Sequence, residues 1–573
     1  MAAVAPAVAS TPIPEVPAQS QEALSHAQVQ AQAQTDESSA MKRPQKRAGG
    51  GQGNGGKWKP KKTKREKNIA EGSSEDIMRI DIETLIESRA KDCTEEVEQD
   101  LPAEGTETEV EILDLSSTSE GLGMRAGSDQ VYVVPFTVPG DIVRVKVFRH
   151  LLQDRHTIAD LVSVVKPSAL RDDARVRCKY FGACGGCQFQ MLDYDEQLKL
   201  KRRILDKAYR NFSNLPAELV PVVQDTIGSP LQYGYRTKLT PHFDGPPGSG
   251  GRKKKNPPPT FDKCPDIGFM LKGKRRVMDI EDCPIGTDAV RLGMKRERTR
   301  MRDEYAGYKR GATLLLRENT SRYPKNGPDA DPAAIPAPEA DPPYTTRTET
   351  DSFVDIKSCV TDSKATTTEY IDDYTFTNPA GSFFQNNNSI LPRFTSYIRD
   401  HILPPSSSDS SNIKYLIDSY SGSGLFTITL SKVFQRSTGI DIAADSIASA
   451  RKNARLNGLG FDDSDESQRC NFIAADAGQL FRNVSYNPDE TVVVLDPPRK
   501  GCDEDFLSQL RNFGPKRVVY VSCNVHTQAR DVGILVRGEG EGKRYVIESL
   551  RGFDFFPQTG HVEGVAILNR VEE

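Results

Sequence analysis

Apolar positions follow different rhythms along the chain, and each rhythm predicts a different architecture. From about residue 376, short apolar runs alternate with helical spacing: 415–418, 436–441, 472–476, 491–496 and 517–522, the first four ending in Asp418, Asp441, Asp476 and Asp496. Runs apolar on both faces read as strands buried in a parallel sheet, and Ala443, Ile447, Ala450 and Ala454 give the second strand a following helix that stops near Gly458. The pattern predicts an α/β, Rossmann-like doubly wound domain over 376–573, with ligands at the carboxyl ends of its strands. Residues 107–169 alternate instead, in Val110-Glu-Ile-Leu, Gln130-Val-Tyr-Val-Val-Pro-Phe and Ile142-Val-Arg-Val-Lys-Val-Phe148, with a Val138-Pro-Gly-Asp141 turn. That period predicts a small OB-like β-barrel, on which Arg144, Lys146, Arg149 and His150 suit phosphates.

Elsewhere the rhythm breaks. Residues 170–375 read as a mixed α/β central domain in which 245–259 (Gly/Pro/Lys) and 326–348 (Pro/Ala/Asp) are surface loops without fixed structure. Residues 1–75 are low in complexity and cannot bury a core, so a disordered tail is expected; 76–106 form an acidic linker with a short helix.

At 573 residues the chain needs two or three cores. Its net charge of −4 conceals a basic run, Lys57-Trp-Lys-Pro-Lys-Lys-Thr-Lys-Arg65, that reads as nuclear import, loose RNA contact or a solvated tail. The first forty residues carry no Lys or Arg and no long apolar core, which disfavours a secretory signal and a mitochondrial presequence. Nucleus and cytoplasm are the expected compartments, with no membrane segment and a monomeric chain. Ten cysteines without a pairing pattern suit a reducing compartment, where thiols serve catalysis or metal binding.

Three places concentrate chemistry. Cys523 follows the run 517–522, so its thiol emerges at a strand's carboxyl end, between Asp496-Pro-Pro-Arg-Lys-Gly501 upstream and Phe556-Pro-Gln-Thr-Gly-His-Val-Glu563 downstream. The turn Asp418-Ser-Tyr-Ser-Gly-Ser-Gly424, with Gly422 and Gly424, precedes Asp441 by about twenty positions, a spacing suited to a ribose-bearing ligand. The third glycine of a dinucleotide fingerprint is missing, which favours a cofactor without pyrophosphate; a strand-end cap is the plainer reading of Asp441 and Asp476. Separately, Cys178, Cys184 and Cys187 share one glycine-containing loop, three soft ligands in search of a fourth.

With these motifs in order, the chain from about 109 to its end resembles the RNA 5-methyluridine methyltransferases, and its barrel resembles their TRAM domain. The resemblance implies a class I methyltransferase domain using S-adenosylmethionine, with Gln385, Tyr420, Gly422, Gly424, Asp441 and Asp496 at the cofactor. It implies Cys523 as nucleophile at uracil C6 and Glu563 as the base that removes the C5 proton. Arg499 would favour the thiolate. The family usually has Glu at Asp441 and a polar residue at Leu425, leaving one cofactor contact open. The resemblance also offers Cys283 as fourth ligand of a [4Fe-4S] cluster, against zinc, no metal, or Cys264 in its place. The expected substrate is a transfer RNA T-loop uridine, position 54, with ribosomal RNA as runner-up. An RNA-binding protein without turnover would not need Cys523 and Glu563, and a cytosine-5 methyltransferase would place its cysteine after proline, which is absent here.

Overall fold

Residues 69–90, 101–249, 259–328, 330–337, 344–405, 412–459, 469–475, 481 and 484–572 are described by the structure, a computed structural model. The basic run at 57–65 and Asp476 lie outside them. The segment read as a linker with a short helix begins with a full helix, α1 (Ser74–Ala90), whose first turn is acidic and whose Asp76 N–H is accepted by the Ser73 hydroxyl. Its apolar residues serve two partners. Ile77 joins a core with Ile204 and Val525, while Ile82 and Leu85 pack on Leu122, Met124, Val131 and Val133 of the barrel.

That barrel is closed in the order β1-β2-β3-β5-β4, from β1 (Glu107–Leu115), β2 (Gly121–Met124), β3 (Val131–Val134), β4 (Ile142–Leu151) and β5 (His156–Lys166). Alternation places Val143, Val145 and Val147 inside and leaves Arg144, Lys146 and Arg149 exposed. His150 departs from the phosphate role expected of it. Its Nδ1 meets Thr157 Oγ1 at 2.8 Å and its Nε2 meets the Pro102 carbonyl at 2.9 Å, so both ring nitrogens are engaged within the fold.

After the barrel come α2 (Tyr194–Phe212) and a four-residue strand, β6 (Gln224–Ile227). The central region then builds two small sheets. One is β10-β9-β8-β11, from β8 (His242–Phe243), β9 (Gly268–Met270), β10 (Val277–Asp279) and β11 (Ala312–Thr313). The other is β13-β14-β12-β7, from β7 (Lys238–Leu239), β12 (Leu316–Pro324), β13 (Thr345–Glu349) and β14 (Phe353–Val360). Helix α3 (Asp288–Glu304) packs Val290 and Met294 against Leu316 and Cys359. β13 starts inside the stretch read as unstructured: Thr345 pairs with Ser358 and Glu349 with Val354, so cross-strand pairing overrides a weak local sequence. A hairpin, β15 (Thr366–Ile371) and β16 (Tyr374–Pro379), leads into the C-terminal sheet.

There the chain forms α4 (Leu391–His401), β17 (Tyr415–Ser419), α5 (Leu425–Thr429), β18 (Arg436–Asp441), α6 (Ala444–Leu456), β19 (Cys470–Ala474), β20 (Thr491–Leu495), α7 (Glu504–Phe513), β21 (Arg517–Ser522), α8 (Val525–Arg537), β22 (Tyr545–Phe553) and β23 (Glu563–Arg570). The sheet runs β19-β18-β17-β20-β21-β23-β22-β6. β17 to β21 are parallel, and β23 lies antiparallel between β21 and β22. All five residues of β20 are buried, the signature of a strand covered on both faces. Winding reverses between β17 and β20, which opens a crevice beyond their carboxyl ends. The last strand, β6, comes from far upstream and pairs in parallel with β22, while α2 packs on α8. Among the described residues no helix is long and apolar enough to cross a membrane.

Candidate active site

The crevice between β17 and β20 is floored by a turn that needs its glycines. Tyr420, Gly422 and Gly424 all have positive φ (65°, 53° and 92°), and a Cβ on Gly424 would press on Ile428 and Phe472 at 3.1 Å. Asp441 Oδ2 accepts the Gly422 N–H (3.0 Å) and its Oδ1 the Ala443 N–H (2.8 Å), so this carboxylate caps the strand end and holds the turn. Each oxygen keeps a further lone pair, enough for ribose hydroxyls. Leu425 is buried at the start of α5. Gln385 is buried on the loop after β16; two residues on, Asn387 Nδ2 donates to the Phe555 carbonyl (3.1 Å), tying that loop to the one ending at Glu563.

In the sequence Asp418 reads only as a strand end. It is fully buried, its Oδ2 accepting from Thr427 N (2.9 Å) and Thr427 Oγ1 (2.6 Å). Burial pushes Asp418 and Asp496 each up to about 7, and Asp418's charge adds to the rise at Asp496.

Cys523 and Glu563 come together by register. Ser522, the last residue of β21, pairs with Gly564 of β23, so the residues flanking that pair, Cys523 and Glu563, lie side by side at one sheet edge. Glu563 is buried, whereas the partly exposed Cys523 opens on a cavity of about 160 Å³. Arg499, on the Pro-Pro turn, lies close enough for its cation to favour the thiolate. That turn is tied to the start of α8, because the Arg499 carbonyl accepts from Asn524 Nδ2 (2.9 Å) and Thr527 Oγ1 (3.1 Å).

Burial, and then the charge of Glu563, push the Cys523 thiol up to about 12; Arg499 pulls the other way and is outweighed. Burial and then Asp496 hold Glu563 well above the usual carboxylate range, again opposed by Arg499. The resting pair therefore keeps its protons, and a carboxyl raised in this way is a strong base once it has given its proton up. His561 lines the same cavity with its side chain open to it; the protein packed around it and the cations of Arg499, Lys201 and Arg236 push it down, towards the neutral form.

The loop between β22 and β23 is clamped from outside its own domain. Gln558, strained at a φ of 71°, exchanges two hydrogen bonds with the Gln197 side chain (3.0 and 3.1 Å), and its carbonyl accepts the Gln188 and Phe189 N–H groups (2.8 and 3.0 Å). Beneath it, Lys201 of α2 pairs with Asp554, both fully buried. Lys201 Nζ also donates to the Phe556 carbonyl (3.0 Å), and Asp554 accepts from Tyr194 Oη (2.9 Å) and the Phe556 N–H (3.1 Å). Nothing in the sequence signalled this pair, which is separated by 353 positions.

The cysteine loop departs from expectation. Cys178, Cys184, Cys187 and Cys283 act on one another, burial first and neighbouring thiols after it pushing Cys187 and Cys283 up to about 12. Yet among the described residues no three His, Cys, Asp or Glu side chains are arranged to hold a metal ion. The four thiols share one neighbourhood, each within reach of its neighbours' charge. Cys264 lies in another cluster, with Phe243 and Met301.

A sheet of this order, reversed only at its last hairpin strand, defines the class I methyltransferase fold, here preceded by a closed barrel. Residues 367–571 match the family model described as tRNA (Uracil-5-)-methyltransferase, and 108–170 match the TRAM domain of tRNA (uracil(54)-C(5))-methyltransferase. The chain is 42% identical over 513 residues to the tRNA (uracil(54)-C(5))-methyltransferase of Schizosaccharomyces pombe, spanning 89% of this chain and 86% of that one. The Saccharomyces cerevisiae protein of the same name is 41% identical over 486 residues, 81% of this chain and 73% of that one. The crystal structure of Pyrococcus abyssi tRNA (uracil-54, C5)-methyltransferase in complex with S-adenosyl-L-homocysteine shares the fold: TM-score 0.52 and 24% identity, covering 80% of this chain and 100% of that chain. This chain belongs to the tRNA (uracil-5-)-methyltransferase family.

Proposed function

We propose that this protein methylates C5 of uridine 54 in the T-loop of transfer RNA, with S-adenosylmethionine as donor and Cys523 as covalent catalyst. The observation that carries the reading is the register of β21 against β23, which sets a thiol beside a buried carboxyl at the sheet edge that also bears the glycine turn. The fungal relatives are named for that nucleotide. The donor supplies an electrophilic methyl group. Tyr420, Gly422, Gly424, Asp441, Asp496 and Gln385 are the residues assigned to hold it, the two carboxylates taking its polar groups.

The target base must leave its stack to reach Cys523. Uracil C5 is a poor nucleophile until Cys523, its thiol proton released to solvent as Glu563 also gives up its own, adds as a thiolate to C6, forming an S–C6 bond and placing the electron pair on C5 and O4. After methyl transfer, C5 carries both methyl and hydrogen. Glu563 takes that hydrogen as a proton, the electrons re-form the C5–C6 bond, and the S–C6 bond breaks to return the thiolate. Arg499 offsets the negative charge gathered on sulfur. Neutral His561 can orient groups in the cavity without competing for the proton.

Transfer RNA with 5-fluorouridine at position 54 tests this. Fluorine cannot leave C5 as a proton, so the protein–RNA adduct should survive denaturing electrophoresis and be absent with Cys523→Ala; no adduct, or one that persists in the variant, sinks the mechanism. For the cysteine loop we infer a structural [4Fe-4S] cluster, on four soft donors in one neighbourhood; no step of the reaction runs through it. Iron and labile-sulfide assays of anaerobically purified protein test that reading, and a metal-free, fully folded protein overturns it.

A further inference from the structure

Pairing between β21 and β23 stops at Ser522 and Gly564. Beyond that point the two chains part: Cys523 leads into α8, while Glu563 keeps a partner in β22, Phe553. Nucleophile and base therefore stand where the ladder between their strands has run out. Strand pairing alone does not fix their separation.

Gln528, one turn into α8, crosses this gap. Its Nε2 donates to the Tyr520 carbonyl of β21 (2.7 Å) and to the Gly564 carbonyl of β23 (2.9 Å). Both partners are acceptors, so only the nitrogen end of the amide can face them, and both of its N–H groups are spent. Gly564 is what lets the helix come so near: a Cβ there would stand 2.5 Å from Gln528 Oε1 and 2.8 Å from a Val525 methyl carbon. The helix that begins at Val525 is thus seated on the residue next to Glu563. That seat costs stability. Gln528 is 0% exposed and its Oε1 has no hydrogen-bond partner among the described residues, whereas an apolar side chain of the same length would bury no unpaired atom. Packing gives no reason for an amide here, but a fixed distance between two reacting groups does.

We infer that Gln528 is a positioning residue for the elimination step. By tying β23 to the helix that follows Cys523, it holds the Glu563 carboxylate where it takes the C5 proton of the methylated adduct. With no exposed surface it touches neither RNA nor donor and acts through the backbone it holds. The inference rests on the base role of Glu563 proposed above.

Gln528→Met keeps the length of the side chain and removes both donors. Stem-loop RNA tritiated at C5 of the target uridine separates the steps in a single turnover: a labelled donor reads methyl transfer, and tritium released to water reads proton removal. In the variant, tritium release should slow about ten- to a hundredfold, as for a misplaced proton acceptor, while methyl transfer stays within about threefold of wild type. Methylated RNA should then remain on Cys523 as an adduct in denaturing electrophoresis. Gln528→Glu, held neutral by its burial, keeps one O–H donor. Its tritium release should fall between wild type and the Met variant, and it serves if the Met variant does not fold. A folded variant in which both rates drop together has lost general order, and one in which neither drops does not need the amide; either result overturns the inference. Glu563→Gln is the control. Tritium release at the wild-type rate in that variant sinks the base reading itself, whereas a slow Glu563→Gln beside a normal Gln528→Met removes only the role of Gln528.

Discussion

Lys201→Met should cost more than a substitution inside a helix suggests. The ammonium and the Asp554 carboxylate are both fully buried, and the change leaves that carboxylate with only two neutral donors, Tyr194 Oη and the Phe556 N–H. Removing one partner of a buried pair costs about 3–5 kcal/mol, because the remaining charge stays desolvated. For a unit of about 500 residues, with about 2 cal/mol/K of unfolding entropy per residue, that is a fall in melting temperature of roughly 3–5 °C. Calorimetry of the single variant and of Lys201→Met/Asp554→Asn makes the test. The double variant carries no buried charge and keeps an amide oxygen for the Phe556 N–H, with its Nδ2 turned to the Tyr194 hydroxyl, so it should recover more than half of the loss. Because Lys201 also holds the Phe556 carbonyl, turnover should fall in the single variant even well below its melting temperature. A shift under about 2 °C, or a double variant no better than the single one, would refute the argument that the pair clamps the loop.

Glu563→Gln should lower turnover by about 10²–10⁴-fold while methylated RNA accumulates on Cys523, seen as an adduct by mass spectrometry; near-normal turnover would remove Glu563 from the base role. With the Cys523 thiol near 12, its thiolate fraction grows tenfold per pH unit, so iodoacetamide labelling of the free protein should rise about a hundredfold from pH 7 to 9 without levelling. A plateau near pH 8 would contradict this. Arg499→Met should slow labelling at fixed pH, whereas Glu563→Gln, which replaces a carboxyl already neutral at rest, should change it little near pH 7. Gly560→Ala would drive a Cβ into the Ser119 hydroxyl of the barrel turn and should cost about 1–3 kcal/mol in a denaturant melt. Adding Ser119→Gly should recover most of that, since Ser119 also sits at a φ of 77°; no recovery would mean the barrel turn is not the obstacle.

What the sequence reveals tracks how locally each feature is encoded. β17, β20 and β21 are legible because strands covered on both faces must be apolar throughout, and Cys523 is legible because it ends one of them. β22 is not legible: its buried positions are broken by a bulge between Ile547 and Ser549, so neither period survives. α1 looked like a short linker helix because its apolar residues are divided between two cores and form no single stripe. The clamp on Gln558 and the unpaired Gln528 Oε1 exist only through contacts hundreds of positions apart or through a missing partner, and no local pattern encodes either. The spacing of Cys178, Cys184 and Cys187 shows that thiols can meet, but not that they do.

The parallel pairing of β6 with β22 has a practical consequence for anyone cutting this protein. The catalytic sheet is not contiguous in the gene: one strand is translated before the central region, and the remaining seven after it. A fragment beginning near residue 376 would emerge with the β22 edge bare and with α8 lacking its α2 neighbour. Bare edges recruit other strands, so such a fragment should form inclusion bodies instead of a minimal enzyme. During synthesis, α2 and β6 must wait, unpaired with their sheet, until more than three hundred further residues have left the ribosome.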